Sequence, residues 1–315
     1  MQQMRSAAVG AQHLDRVRAG RVADVLEAHP EQVRAARAAS AVLLEKPTEH
    51  TAQAELASSA DQLLLALRTP TRSETHLDRA LAFVDGLVRS ELPELLDRPG
   101  VPERFKELTM HTLHRANLQA GSYDHWLLLL HALLGDAPAH VYDLAAGTGG
   151  FARHAARHAR SPLRMTSSDR SARYVGRGMR AAEQEGVTQV RWEVCDALDL
   201  RAARERGDVD LFLCTQAAHH FSPGALVQLL SHGVHSARRG VLIIDLLRSA
   251  STAIGTAILA AVSAPWPGLI VDGFQSARRA YTPAELTLLA TLAGCDRIDA
   301  RPFGPAWCTL HAQKL

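Results

Sequence analysis

Up to about residue 115, apolar residues recur at three- and four-residue spacing, as in Val22-Val25-Leu26, Leu63-Leu64-Leu65-Leu67 and Leu81-Val84-Leu87-Val88. That rhythm predicts one helix after another. Pro47, Pro70, Pro93, Pro99 and Pro102 punctuate the run. Residues 1 to about 20 are expected to lack fixed order. One further helix is expected over about 116–136. After residue 138 the rhythm changes to short apolar strands alternating with helices. Strands are expected near 139–144, 163–168, 189–195, 208–214, 240–246, 297–302 and 306–313. Helices are expected near 149–159, 171–186, 223–236, 251–264 and 283–293. Alternating βα units predict a mainly parallel sheet covered on both faces, and the last two strands read as an antiparallel hairpin at one edge. The division expected is therefore an all-helical region, 1–115, ahead of an α/β domain, 116–315. The helical region would dimerise the chain, cap the active site or set substrate specificity.

Composition narrows the class. Hydrophobic content is 47%, charged content 22% and the formal net charge +2. These values fit a soluble globular enzyme, with no dense basic block for nucleic acid. All 35 basic residues are arginine except Lys46, Lys106 and Lys314. Cys195, Cys214, Cys295 and Cys308 form no CxxC pair, so reduced buried thiols and a cytoplasmic location are expected. No apolar leader stands at the N-terminus. The uncharged run Ser251–Val271 is broken by Pro265 and Pro267, which favours a helix lining an apolar pocket over a membrane span.

The chemistry concentrates in Val141-Tyr142-Asp143-Leu144-Ala145-Ala146-Gly147-Thr148-Gly149-Gly150-Phe151, where a strand ends in an acid and a glycine turn opens a helix. Such a turn brings main chain and aligned N–H groups against a ligand. Taken alone, Gly147 to Ala152 also satisfies the dinucleotide fingerprint, with Asp169 as its acid. Three features favour S-adenosylmethionine (SAM) over a nicotinamide: Asp143 at the strand end, Asp196 after the third strand, and the C-terminal hairpin.

On these motifs the segment from about 138 to 315 resembles class I SAM-dependent methyltransferases. The resemblance implies strand order 3-2-1-4-5-7-6 with the last strand antiparallel, SAM as cofactor and S-adenosylhomocysteine as product. It implies that Asp143 supports the glycine loop and the methionine amino group, and that Asp169 binds the ribose hydroxyls. Asp196 would accept from the adenine amino group, flanked by Ala197. The family favours glycine where this chain has Ala145. Gly147, Gly149, Arg170 and Thr215 complete the expected cofactor site, with Asn117, Tyr123 and Trp126 as lid candidates. Ile244–Ser249 and Asp272–Leu286 are similar to small-molecule methyltransferases found beside bacterial polyketide pathways.

The acceptor is expected beside Thr215-Gln216-Ala217-Ala218-His219-His220-Phe221. His219 or His220, as a neutral imidazole, could take the proton of a hydroxyl acceptor, or could simply shape the pocket. Gln216 could orient the acceptor. Arg248 could hold an acidic or phenolate group through its planar fork, or form an ion pair between helices. His154 and His158, at i,i+4 spacing, read as a solvated helix face, and no metal is assigned. A small organic acceptor, methylated at oxygen, is expected. Nitrogen or carbon acceptors, a carrier-bound substrate and a SAM-binding protein without methyl transfer remain open. A homodimer is a further expectation.

Overall fold

A layer of five charged side chains, three buried and two partly buried, joins the N-terminal helices to the sheet. The structure, a computed structural model, describes residues 2–98, 100–263 and 267–315. The helices that precede the sheet are α1 (Gln2–Ala28), α2 (Pro30–Glu45), α3 (His50–Arg68), α4 (His76–Val88), α5 (Glu103–Gln119) and α6 (Ser122–Leu134). There follow β1 (Ala139–Leu144), α7 (Gly150–His158), β2 (Leu163–Asp169), α8 (Ala172–Gln184), β3 (Val190–Val194), α9 (Arg201–Arg206) and β4 (Leu211–Thr215). A 3-10 turn, Ala218–His220, leads to α10 (Pro223–Ser236), β5 (Val241–Leu246), α11 (Ala250–Ser263), α12 (Pro267–Arg279), α13 (Pro283–Leu292), β6 (Arg297–Phe303) and β7 (Trp307–Gln313).

The sheet runs β3-β2-β1-β4-β5-β7-β6, with β7 antiparallel to both neighbours. This is the order the resemblance implied. Central strands β1 and β5 are buried at every position, so they lie between two helical layers. Local chemistry sets the helix starts. Ser222 and Pro223 open α10, and capping boxes Thr75/Asp78 and Thr282/Glu285 open α4 and α13.

Several expectations need correction. The helix expected over 116–136 is two helices, broken at Gly121, which adopts φ 66° as only glycine does without strain. The divide placed at 115/116 falls within α5. The N-terminus is helical from residue 2, and Leu14, Arg18, Val22 and Val25 are buried. Helices α9 and α12 were not expected. Pro99, Pro265 and the expected helix end at 264 lie outside the described residues. Helix α11 lines the central cleft through Thr252, Thr256 and Leu259, while Ile254, Ile258 and Val262 on its other face are exposed. No helix among the described residues is long and apolar enough to cross a membrane.

One hydrophobic core takes in Leu43, Leu56, Leu63 and Leu67 of the first helices together with Leu226, Leu230, Leu286 and Leu289 of α10 and α13. Beside it, Glu285 accepts from Arg68 Nε (2.6 Å) and from Arg248 Nη2 (2.6 Å) and Nη1 (2.8 Å). Arg248 also donates to Asp85 Oδ1 (3.0 Å) and Oδ2 (3.2 Å) and to the Ala280 carbonyl (2.9 Å). Arg18 donates to Asp85 (2.7 Å). All five N–H groups of Arg248 are thus spent within the fold, so it is the inter-helix ion pair and not a holder of the acceptor. Burial alone would raise the Glu285 carboxyl, but Arg248 and Arg68 hold it well below the ordinary range, and Arg248 is held protonated in turn. Removing one partner strands a buried charge, which costs about 3–5 kcal/mol. Arg248→Met should lower unfolding free energy in urea by about that amount while leaving SAM affinity of the folded protein near wild type.

Candidate functional site

The carboxyl ends of β1 to β5 open into a cleft of about 1720 Å³, larger than the usual few hundred to 1,000 Å³ of a small-molecule site. Its walls come from α5, α11 and α12 and from the segment after α4. A small side pocket, lined by Asp143, Ala145, Gly147, Tyr123, Asn117, Thr215 and Gln216, adjoins it.

The glycine turn forms one wall. Ala145 (φ 50°), Gly147 (φ 57°) and Gly149 (φ 64°) are all left-handed. Ala145 therefore stands where the backbone itself favours glycine. A Cβ on Gly149 would come within 2.5 Å of Trp192 and 2.6 Å of Ser167 Oγ, so the turn rests directly on those side chains. The loop N–H of Gly147 donates to Asp169 Oδ2 (2.9 Å), and Ser171 N donates to Oδ1 (2.8 Å). Loop support expected from Asp143 thus comes from Asp169, which itself lines the cleft. Burial raises the Asp169 carboxyl, and the two backbone N–H groups partly offset it.

Asp143 is different. It is buried at the end of β1, and its Oδ1 has no hydrogen-bond partner. Burial, with Asp169 nearby, pushes its carboxyl up to about 8. An orphaned carboxylate oxygen beside a glycine cradle fits an ammonium group, as on the methionine end of SAM. Asp196, Ala197 and Arg170 line the main cleft, with Asp196 Oδ1 accepting from Leu198 N (2.9 Å). Tyr123 lines the side pocket and shares a hydrogen bond with His114 Nδ1 (3.1 Å). Trp126 packs on Phe151 and Trp307 in the core. His154 is buried against Asp124 (2.9 Å) and Tyr123, not solvated as expected.

The residues that follow β4 form another part of the cleft wall. Gln216 (φ 51°) accepts from Asn117 Nδ2 (2.6 Å) and lines both cavities. His219 N donates to Asp245 Oδ2 (2.8 Å), and the His219 ring pairs through Nδ1 with Asp245 Oδ1 (2.8 Å). Its Nε2 lies 3.2 Å from Glu94 Oε1. Burial alone would lower His219, but Asp245 and Glu94 overcome it and raise the ring to about 10. Burial would likewise raise Glu94, but the His219 hydrogen bond and charge hold it at about 2. The neutral imidazole expected at 219 is instead an imidazolium with a carboxylate on each nitrogen. His220, partly exposed, pairs through Nδ1 with Asp97 Oδ2 (3.0 Å) and faces the cleft.

Glu94 and Asp97 were not foreseen, nor was a role for Asp245. The segment that carries the first two is fastened to α12. Leu95 N and Leu96 N donate to Asp272 (2.5 and 3.2 Å), Gln275 donates to Leu92 O (2.6 Å), and Arg278 donates to Val88 O (2.7 Å).

Asp143 gives a proton-linked prediction. Free protein below pH 8 keeps this carboxyl protonated, whereas an ammonium partner requires it charged. SAM binding at pH 6–7 should therefore release close to one proton, and affinity should rise by roughly tenfold per pH unit in that window. In the free protein a raised carboxyl favours the fold while protonated, and this contribution is lost as pH climbs through about 8. Calorimetry in buffers of different ionisation enthalpy reads the proton. Asp143→Asn should bind SAM weakly and release none. Equal proton release from wild type and variant would refute the assignment.

Residues 141–240 match the family model described as a methyltransferase domain. No curated protein matches the chain. Among solved structures, it is similar to a SAM-dependent methyltransferase from Aquifex aeolicus, at 14% identity over 59% of this chain and 88% of that one, with TM-score 0.44. It is similar to magnesium protoporphyrin IX methyltransferase from Synechocystis PCC 6803 with bound SAM, at 15% identity over 66% and 84%, with TM-score 0.42. Geranyl diphosphate C-methyltransferase from Streptomyces coelicolor A3(2) is similar at 17% identity over 70% and 87%, with TM-score 0.42. The match thus places a methyltransferase domain over residues 141–240, the stretch that holds the glycine turn and strands β1 to β4.

Proposed function

We propose that the protein methylates a small organic acceptor at a hydroxyl oxygen, in natural-product metabolism. One observation carries this reading: a single cleft joins the Asp169–Gly147 end to the polar group Glu94, His219 and His220. SAM, when bound, supplies a methyl on a sulfonium, and transfer is an in-line displacement in which the protein chiefly aligns the partners. Asp143, Asp169 and Asp196 hold the donor. Gln216, whose side-chain oxygen is pinned by Asn117, orients the acceptor. Leu259, Ala260 and Leu269 supply apolar contact. The helical region 1–115 acts as the substrate cap, because its last segment brings Glu94 and Asp97 into the acceptor end.

The test is release of S-adenosylhomocysteine with a panel of small phenols and hydroxy acids, set against amine and carbon-acid acceptors. Turnover confined to hydroxyl acceptors supports the reading, and turnover confined to amines or carbon acids overturns it. Asp169→Ala should weaken SAM binding by at least tenfold in calorimetry, because both the ribose acceptor and the Gly147 anchor are lost.

A further inference from the structure

Glu94 lies more than a hundred residues from the adjacent pair His219 and His220, yet the ligand atoms of all three lie within 4.8 Å of one another. We propose that they form a site for one divalent transition-metal ion at the acceptor end of the cleft. This deepens the methyltransferase reading and rests on it. Both rings turn Nε2 towards Glu94 Oε1, at 3.2 Å for His219 and 4.0 Å for His220. Both give their other nitrogen to a carboxylate, Asp245 at 2.8 Å and Asp97 at 3.0 Å. Ser276 Oγ donates to Glu94 (2.7 Å). A ring held by a carboxylate on the nitrogen away from the ion is the usual outer shell of a metal-binding histidine, because it fixes orientation and raises basicity.

Spacing and donor chemistry agree. Bonds of about 2.0–2.2 Å to nitrogen and carboxylate oxygen put neighbouring donors about 3 Å apart. Glu94 Oε1 and His219 Nε2 already stand at this separation (3.2 Å), and the ion takes the place of the Nε2 proton between them, which leaves to solvent. His220 Nε2 stands farther out, 4.0 Å from Glu94 Oε1, and its partly exposed ring has to turn inward to join them. Two imidazoles and one carboxylate suit Zn²⁺, Fe²⁺ or Co²⁺ better than Mg²⁺ or Ca²⁺, which prefer all-oxygen sites. Glu94, Asp97 and Asp245 supply three negative charges around the two rings. Arg279, also in the cleft wall, spends its donors on the main-chain oxygens of His219 (3.0 Å), His220 (3.3 Å) and Leu92 (3.4 Å). Three protein ligands leave coordination positions open towards the cleft, as in catalytic rather than structural sites.

The ion would act as a Lewis acid on an oxygen acceptor. The hydroxyl binds through oxygen and loses its proton to solvent. An oxygen lone pair then forms the bond to the methyl carbon, the carbon–sulfur bond breaks, and its electron pair stays on sulfur as S-adenosylhomocysteine leaves. Acceptors with a second oxygen on the neighbouring carbon, able to chelate, are the class favoured.

The full chain, stripped with chelator, is titrated with Co²⁺ and with Zn²⁺ by calorimetry, and Co²⁺ is followed by its visible absorption. SAM affinity is measured on each sample. One ion per chain at micromolar affinity is expected, weakened at least tenfold in Glu94→Gln and in His220→Ala, with SAM affinity retained. Asp97→Asn, which alters only the group positioning His220, should weaken Co²⁺ binding and shift its spectrum. His29→Ala should change nothing. No ion bound by wild type, or stoichiometric binding unchanged in both Glu94→Gln and His220→Ala, would overturn the proposal. Wild type that binds the ion but not SAM would instead sink the methyltransferase reading.

Discussion

A carboxylate with no solvent exposure needs cations at its oxygens, and Glu285 draws them from two different parts of the chain. Arg68 ends the third helix, and Arg248 follows the fifth strand. Glu285 also caps its own helix from within. A helix start, a strand end and the helical layer therefore meet at one side chain. Replacing any of them leaves a charge that the low-dielectric interior does not tolerate. This constraint makes the N-terminal helices a layer of the catalytic fold and not a loosely attached module. It also seats Asp85 of α4, and so sets where the chain goes next.

The cleft is built with opposite electrostatic habits at its two ends. Around the glycine turn, backbone N–H groups are satisfied by Asp169, while Asp143 keeps an oxygen unpaired in a buried place. That arrangement carries a cost that a cationic ligand removes. Around His219 the charges are already paired, with Asp245 on one ring nitrogen and Glu94 on the other. Between the two lie Ala145 and Gln216, the two non-glycine residues with left-handed backbones among the described residues. They end adjacent strands, β1 and β4, and both line the cavities. Strain of this kind persists only where neighbours over-determine the backbone. Here the Gln216 N–H to Ile244 O bond (2.8 Å) and the Asn117 contact do so for one of them.

The central strands β1, β4 and β5 were legible because each is a short, mainly apolar run between turn residues, which reflects burial on both faces. The places of Asp143, Asp169 and Asp196 at or just after strand ends were legible because they follow from where the strands stop. Glu94 was not. It lies in a segment without periodicity after Pro93, and its partners Ser276 and His219 are distant in sequence. Arg248 was open between two roles, and only the arrival of Asp85 and Glu285 settles which one its five donors serve. The break at Gly121 was hidden because Tyr123, Trp126 and Leu127 continue an apolar rhythm that reads as one helix. Nothing in the spacing signals a left-handed residue within it.

The segment between α4 and α5 was made early on the ribosome, yet its anchors belong to α12 and to the turn after β4, far later in the chain. Asp272, Gln275 and Ser276 emerge only after most of the sheet has been translated. During synthesis the donor end of the cleft, formed by β1 and β2, is complete long before Glu94 has anything to dock on. The acceptor end therefore closes last, and a nascent chain is able to assemble its cofactor wall well before its substrate wall.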